Sequence, residues 1–120
     1  MILCDTNTVI HYFNDHPQTV DAWNAIGRSN ILLPVITVLE LYRGMSNKLE
    51  LAQMRRKIRY YDVIHLDEAT SRQATELLEN FRLSHDLQIP DALIGATAIT
   101  NGLPLFTYNV KDFSFMPGLI

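Results

Sequence analysis

The sequence predicts an α/β fold in which helices cover both faces of a central parallel sheet. Short apolar runs alternate with helical patterns along the 120 residues, and strands joined by crossover helices lie parallel. The runs are mostly apolar and do not alternate with polar residues, which is typical of strands buried on both faces. With 48% hydrophobic residues, the chain can bury one core, and we expect a single domain over residues 1–120.

Four apolar runs predict strands, and a fifth segment is a candidate edge strand. The four runs are Met1–Cys4, Ile31–Val35, Asp62–His65 and Leu103–Thr107. The candidate is Phe113–Ile120, which Pro117 would confine to the edge of a sheet because proline cannot donate to the ladder. We therefore expect a sheet of four to five short strands.

Helical periodicity predicts six helices between these strands. They are expected at Thr6–Asn14, Pro17–Gly27, Thr37–Met45, around Leu51–Tyr61, Asp67–Leu87 and Pro90–Asn101. Asp67 suits an N-cap position, and Pro17 and Pro90 each suit a first helical turn. In open parallel sheets ligands bind beyond the carboxyl ends of the strands, so polar residues at those ends are the candidates for chemistry.

Composition limits the classes of function. Cys4 is the only cysteine, which excludes an internal disulfide and a cysteine-based zinc site, and its apolar context predicts a buried strand residue. The net charge of −3 lacks the basic excess of many nucleic-acid binders, so a polyanion would need a local basic patch or bound cations. With no stretch resembling a secretory signal or a membrane span, we expect a cytoplasmic protein without membrane association.

Four carboxylates fall near the predicted strand ends. They are Asp5 after the first strand, Glu40 in the helix after the second, Asp91 at the start of the helix before the fourth, and Asp112 in the loop after the fourth. At about 5 Å and an effective dielectric near 20, each ionised pair repels by roughly 3 kcal/mol. Such a cluster needs a cation or raised pKa values, and oxygen ligands favour Mg²⁺ or Mn²⁺ over zinc.

Each carboxylate also has a structural interpretation. Asp5 could cap the first helix, Asp91 could stabilise the first turn of its helix, and Asp112 could be a turn residue. The segment Thr37–Glu40 has the form of a capping box, and its glutamate could instead pair with Arg43. Spacing alone therefore leaves a metal site and four local roles open.

Four segments resemble, in order and with the expected gaps, the signatures of PIN-domain ribonucleases. They are Leu3-Cys4-Asp5-Thr6-Asn7, Thr37-Val38-Leu39-Glu40-Leu41, Asp91-Ala92-Leu93-Ile94-Gly95-Ala96-Thr97-Ala98 and Thr107-Tyr108-Asn109-Val110-Lys111-Asp112-Phe113. The closest resemblance is to VapC-type toxins of bacterial and archaeal toxin–antitoxin pairs. It implies an α/β/α sandwich, Mg²⁺- or Mn²⁺-dependent cleavage of RNA, commonly tRNA or rRNA, a VapB-like antitoxin partner and a homodimer.

The resemblance also implies roles for individual acidic positions. Asp5 and Asp91 would be metal ligands, and Glu40 would be the third acid. For the fourth position we favour Asp112, although many relatives carry an aspartate where this chain has Asn109. An asparagine there would offer a neutral oxygen and attract a second cation less strongly.

Polar and basic residues complete the predicted site. Asn7 and Thr107 would hold the carboxylates or the attacking water through hydrogen bonds. Arg43, Arg56 and Lys57 are the candidates for RNA phosphates, because phosphate contacts dominate affinity for nucleic acids. Arg56 and Lys57 belong to a basic run that also contains Arg55 and Arg59. For these two residues, a solvated helix face or a surface that binds the antitoxin is the alternative.

Two other classes of protein are alternatives to the nuclease. A PIN-like protein without catalytic activity would act only by binding partners. A response-regulator-like module would use Asp67 as phosphoacceptor with Thr107 and Lys111 as switch residues, but the chain has no acid pair after its first strand. A nucleotide-binding domain is disfavoured because the glycine-rich phosphate-binding motifs are absent.

Overall fold

The computed structural model describes all 120 residues and follows the predicted alternation of strands and helices. The strands are β1 (Ile2–Cys4), β2 (Ile31–Pro34), β3 (Asp62–Ile64) and β4 (Leu105–Phe106). The helices are α1 (Thr6–Phe13), α2 (Pro17–Ile26), α3 (Val35–Arg43), α4 (Lys48–Ile58), α5 (Glu68–His85) and α6 (Ile89–Asn101). None of the six helices is both long and apolar enough to span a membrane.

The four strands are parallel and lie in the order β3-β2-β1-β4. Leu3 of β1 pairs with Leu32 on one side and with Leu105 on the other. The chain moves from β1 through β2 to β3, and then returns to β4 on the opposite side of β1. This reversal creates a switch point between β1 and β4, where ligands bind in open parallel sheets.

Each face of the sheet has its own hydrophobic core, because successive strand residues point to opposite faces. Cys4, Ile31 and Leu33 pack on the side of α1 to α4. Leu3 and Leu32 pack on the other side, against α6, which in turn packs against α5. The predicted sandwich with a parallel sheet and helices on both faces is confirmed.

The single cysteine is a core residue, as predicted. The Cys4 side chain is fully buried on β1. Burial, and then the charge of Asp5, raise the pKa of its thiol to about 12. The thiolate that would react is therefore absent at neutral pH.

The predicted edge strand at Phe113–Ile120 is wrong. The segment turns instead, with Phe113 N–H bonded to the Val110 carbonyl and Met116 N–H to the Phe113 carbonyl. Phe113 and Met116 are buried three residues apart against the α6 side of the core. A strand would point these two side chains to opposite faces, whereas a turn lets both reach the same core.

The capping box predicted at Thr37–Glu40 is also wrong. Helix α3 begins at Val35 with Pro34 in the N-cap position, so Thr37 lies within the helix. Pro34 already ends β2, and its fixed φ of −68° allows the chain to enter the helix at once. The suggested pair of this glutamate with Arg43 does not form either.

The strand order excludes the response-regulator-like interpretation. Such modules have the order 2-1-3-4-5, with the third strand beside the first, whereas here β3 lies at the edge of the sheet beside β2. Asp67 is the N-cap of α5, where its carboxylate accepts from Thr70 N–H at 2.8 Å. That bond, backed by the Thr70 hydroxyl, lowers the pKa of Asp67.

Gly95 allows α6 to pack closely against the C-terminal turns. A Cβ at this buried position would collide with Met116 Sδ. We expect Gly95→Val to lower the free energy of unfolding by about 1–3 kcal/mol through overpacking, measured by urea denaturation. Gly44→Val is the matched control, because a Cβ there meets only ordinary contacts beginning at 3.5 Å. Equal stability of the two variants would contradict this account.

Candidate active site

The pairing of β1 with β4 brings Asp5 and Thr107 side by side at the switch point. Cys4 pairs with Phe106, so the residues that follow them are neighbours. Thr107 Oγ1 donates to Asp5 Oδ2 over 2.5 Å, and Thr8 N–H donates to Asp5 Oδ1 over 2.9 Å. The side chain of Asp5, in a residue only 3% exposed, is thus held at both oxygens while it also caps α1.

Two threonines that the sequence analysis did not identify hold Glu40. Glu40 Oε1 accepts from Thr6 Oγ1 at 2.6 Å, and Thr6 Oγ1 lies 3.1 Å from Thr37 Oγ1. Since Thr6 donates to the glutamate, the buried Thr37 is the donor of the second bond. These two linked hydrogen bonds tie the first turn of α1 to α3 and keep Glu40 near the end of β1. The only sequence signal for Thr6 is its position next to Asp5.

Asp91 shows that the four predicted carboxylates influence one another. It lies half-buried in the first turn of α6, and its side chain has no hydrogen-bond partner. Burial, followed by the charges of Asp112, Asp5 and Glu40, raises the pKa of Asp91 to about 6. Carboxylates at least 21 residues from Asp91 in sequence are therefore close enough to it in space to repel.

The two candidates for the fourth position have different surroundings. Asp112 ends the short 3₁₀ turn Val110–Asp112, and its charge is the strongest of the three that act on Asp91. Asn109 precedes that turn, and its backbone N–H donates to Thr107 Oγ1 over 2.9 Å. Asn109 thus orients, through its main chain, the hydroxyl that holds Asp5.

The chemistry of the donor set fits a hard divalent cation, although the side chains are not drawn together around one. No three His, Cys, Asp or Glu side chains lie close enough to hold a metal ion. The available donors are carboxylates and hydroxyls, and repulsion among the carboxylates would favour a cation between them. For an ion to join them, the unbonded side chains of Asp91 and Asp112 would have to turn towards Asp5.

Two predicted residues lie outside this hydrogen-bond network. Asn7 is exposed on α1, and its side chain forms no hydrogen bond. Arg43 is exposed at the end of α3 and forms no ion pair. Asn7 is two residues from Asp5 and Arg43 is three from Glu40, but neither side chain forms a hydrogen bond or an ion pair with a carboxylate.

Lys57 lies in a groove that reaches the site. It stands over the Phe13 ring at 5.3 Å from the centroid. The groove, of about 520 Å³, lies between α1, α3 and α4 and has both Lys57 and Glu40 in its lining. Arg56 is exposed on α4 and does not line the groove.

Comparison with known protein families shows to which family the chain belongs. The sequence model of the PIN domain matches residues 2–117. The chain belongs to the PIN-domain family. PIN domains are generally nucleases, which supports a hydrolase acting on nucleic acid. No curated protein matches the sequence significantly.

Solved structures with the same PIN fold include chains of toxin–antitoxin complexes. A chain of the Klebsiella pneumoniae toxin–antitoxin complex has a TM-score of 0.81 and 28% identity, covering 100% of this chain and 96% of that chain. A chain of Rickettsia felis VapBC2 bound to a promoter DNA fragment has a TM-score of 0.83 and 25% identity, covering 100% of this chain and 96% of that chain. A chain of DNA-bound VapBC from Salmonella typhimurium has a TM-score of 0.83 and covers 99% of this chain and 96% of that chain. Its sequence identity is 22%, which supports the fold alone.

The raised pKa of Asp91 predicts a stability that depends on pH in the metal-free protein. The folded state binds this proton more tightly than the unfolded chain, so stability falls as pH rises from the usual aspartate range through about 6. Asp91→Asn removes the charge and should raise the free energy of unfolding at about pH 8 by about 1 kcal/mol, after allowance for solvent screening.

Urea denaturation in the presence of EDTA measures this effect. The gain should shrink as pH falls through about 6 towards the usual aspartate value of 3.8, and it should vanish only below both values, at about pH 2 to 3. Glu76→Gln, at an exposed position on α5, is the control and should change stability little at either pH. An Asp91→Asn variant that is less stable than the unaltered protein at about pH 8 would contradict the repulsion.

Proposed function

We propose that this PIN-domain protein is an Mg²⁺-dependent endoribonuclease, the toxin of a VapBC-type toxin–antitoxin pair that cleaves tRNA or other structured RNA. The observation that carries the proposal is the buried Asp5 carboxylate, held at both oxygens at the switch point between β1 and β4. The charges of Asp112, Asp5 and Glu40, which help to raise the pKa of Asp91, support it. Mutual repulsion at a strand-end switch point is what a site for a cation and a phosphodiester requires. Membership of the PIN family supports the nuclease activity.

Asp5 and Asp91, with Glu40 and Asp112, would hold the ion, for which Mn²⁺ is the alternative. The chemistry that a divalent ion would supply there is activation of water and neutralisation of the negative charge that in-line attack on the phosphate develops. Asp5 is prepared for this role because Thr107 and the Thr8 N–H keep its carboxylate in place.

Side chains around the carboxylates would orient these acids and the ligand. Thr6 holds Glu40 through its hydroxyl, so this acid faces the end of β1 before any ligand arrives. The carboxylates of Asp91 and Asp112 accept no hydrogen bonds and keep the freedom to close on an ion. Asn7, exposed at the start of α1, would contact the water or the phosphate.

Basic residues would position the RNA backbone. Lys57 is the best supported, because the groove that it lines extends to Glu40. Arg43 and Arg56 would add phosphate contacts from the ends of α3 and α4. Such contacts position RNA without reading its sequence.

The same groove would receive the antitoxin. Its lining includes the apolar side chains of Ile10, Phe13, Met45 and Met54, which suit an apolar segment of a partner. The toxin–antitoxin complexes from Klebsiella pneumoniae and Rickettsia felis support a VapB-like antitoxin as that partner. A segment seated there would cover the Glu40 side of the site and inhibit cleavage. We also propose a homodimer and a cytoplasmic location, by analogy with such toxins.

A catalytically inactive PIN-like binding protein is the second candidate. The open arrangement of the carboxylates, with no three close enough to hold an ion, is the observation that favours it. Cleavage assays separate the two candidates.

Removal of a proposed metal ligand should abolish RNA cleavage without unfolding the protein. We expect Asp5→Asn and Asp91→Asn each to lower cleavage of tRNA in Mg²⁺ by about 100-fold or more, since even indirect support of a metal costs 10–100-fold. EDTA should have the same effect on the unaltered protein. Glu76→Gln, purified identically, should keep full activity. Cleavage that persists in Asp91→Asn, or that needs no divalent ion, would overturn the proposal.

Loss of the groove lysine should weaken RNA binding through phosphate contacts. In an Asp91→Asn background, which keeps the RNA intact, Lys57→Gln should weaken binding to all sequences alike. The slope of log affinity against log salt should fall by about 1. Lys48→Gln, at the first residue of α4 and outside the groove lining, is the control. Equal slopes for the two variants would place the phosphate contact elsewhere.

A further inference from the structure

Tyr108 is a large aromatic residue on the rim of the site that the proposed cleavage chemistry does not use. It directly follows Thr107, whose hydroxyl holds Asp5, so its Cα lies about 3.8 Å from that of Thr107. Although it contacts several other rings, 44% of the residue is exposed. A nucleotide whose phosphate reaches the carboxylates would therefore have its neighbours close to this ring.

The tip of the Tyr108 side chain is anchored. Its hydroxyl lies 2.8 Å from Thr19 Oγ1, and that oxygen lies 2.9 Å from His16 Nδ1. Thr19 is fully buried in the first turn of α2, so the anchor is part of the folded interior. An exposed tyrosine that served only as surface would leave its hydroxyl in water. Here the ring is oriented in advance, which lowers the entropic cost of placing a ligand on it.

The rings around Tyr108 support it from the side. The centroid of His11 lies 5.5 Å away at an interplanar angle of 81°, that of Phe106 5.4 Å away at 75°, and that of His16 6.3 Å away at 64°. All three are tilted, and none stacks parallel to the tyrosine. The stacking position that a nucleobase would take is therefore not occupied by another ring of the protein.

We propose that Tyr108, supported by His11 and His16, is a platform on which one unpaired nucleobase of the RNA stacks beside the carboxylates. The identity of this ligand rests on the proposed nuclease function. Aromatic side chains bind bases of single-stranded segments, because only unstacked bases present a free face. The platform therefore selects loops, bulges or single strands over continuous duplex, with little preference for one base.

A comparison of RNA with and without bases tests the platform directly. In the Asp91→Asn background, binding would be measured for a short oligoadenylate and for an abasic ribose-phosphate oligomer of the same length. Loss of one stacked base costs roughly 5- to 150-fold in affinity. We expect the oligoadenylate to bind tighter than the abasic oligomer by a factor in that range.

Two substitutions of Tyr108 separate the ring from its hydroxyl. Tyr108→Leu should remove most of the preference for the oligoadenylate and leave the affinity for the abasic oligomer within about threefold. Tyr108→Phe keeps the stacking face and should retain most of the preference. Tyr60→Leu is the matched control, because Tyr60 is also exposed, at 60%, but lies in the turn after α4 with the Arg28 guanidinium over its ring. It should retain the full preference.

Three results would overturn the platform. The first is no preference for bases in the parent protein, and the second is a preference that survives Tyr108→Leu, as expected if this surface contacts a protein. The third is an equal loss of affinity for both oligomers in Tyr108→Leu, since that shows a structural effect through Thr107. Metal-dependent cleavage is assayed separately, so a failed nuclease proposal is distinguishable from a failed platform.

Discussion

The hydrogen bonds to the Asp5 carboxylate are the contacts on which the rest of the site depends. A buried carboxylate is costly unless its oxygens are bonded, and here the Thr107 hydroxyl and the Thr8 N–H serve one oxygen each. The first contact joins β1 to the loop after β4, and the second begins α1. The loop that carries Asn109 and Asp112 is thereby tied to the centre of the sheet.

Around this fixed acid, the other carboxylates differ in how firmly they are held. The Glu40 carboxylate is bonded to Thr6, whereas the carboxylates of Asp91 and Asp112 have no hydrogen-bond partner and repel each other. The fold thus tolerates an unfavourable local charge that a cation would relieve. Such a conflict between stability and local electrostatics is typical of functional sites, because a group held ready for a ligand is unsatisfied without it.

The two sides of the site offer different surfaces to a ligand. On the Glu40 side, a groove with both polar and apolar side chains, Lys57 among them, runs between α1, α3 and α4. On the opposite side, Tyr108 is anchored to α2 and presents an exposed ring. One surface suits a chain of phosphates or an apolar protein segment, and the other suits a base. RNA and an antitoxin would therefore compete for the groove, whereas only RNA would use Tyr108.

The sequence by itself determined the alternation of four strands and six helices, the buried Cys4, the N-cap at Asp67 and the positions of the four acids, since these follow from local periodicity and from where each strand ends. Only the tertiary structure decided that Thr6 holds Glu40, that residues 113–120 turn instead of forming a strand, and that Tyr108 is anchored to Thr19. These contacts join residues far apart in the chain. Their geometry depends on how strands and helices pack, which no local pattern of residues encodes.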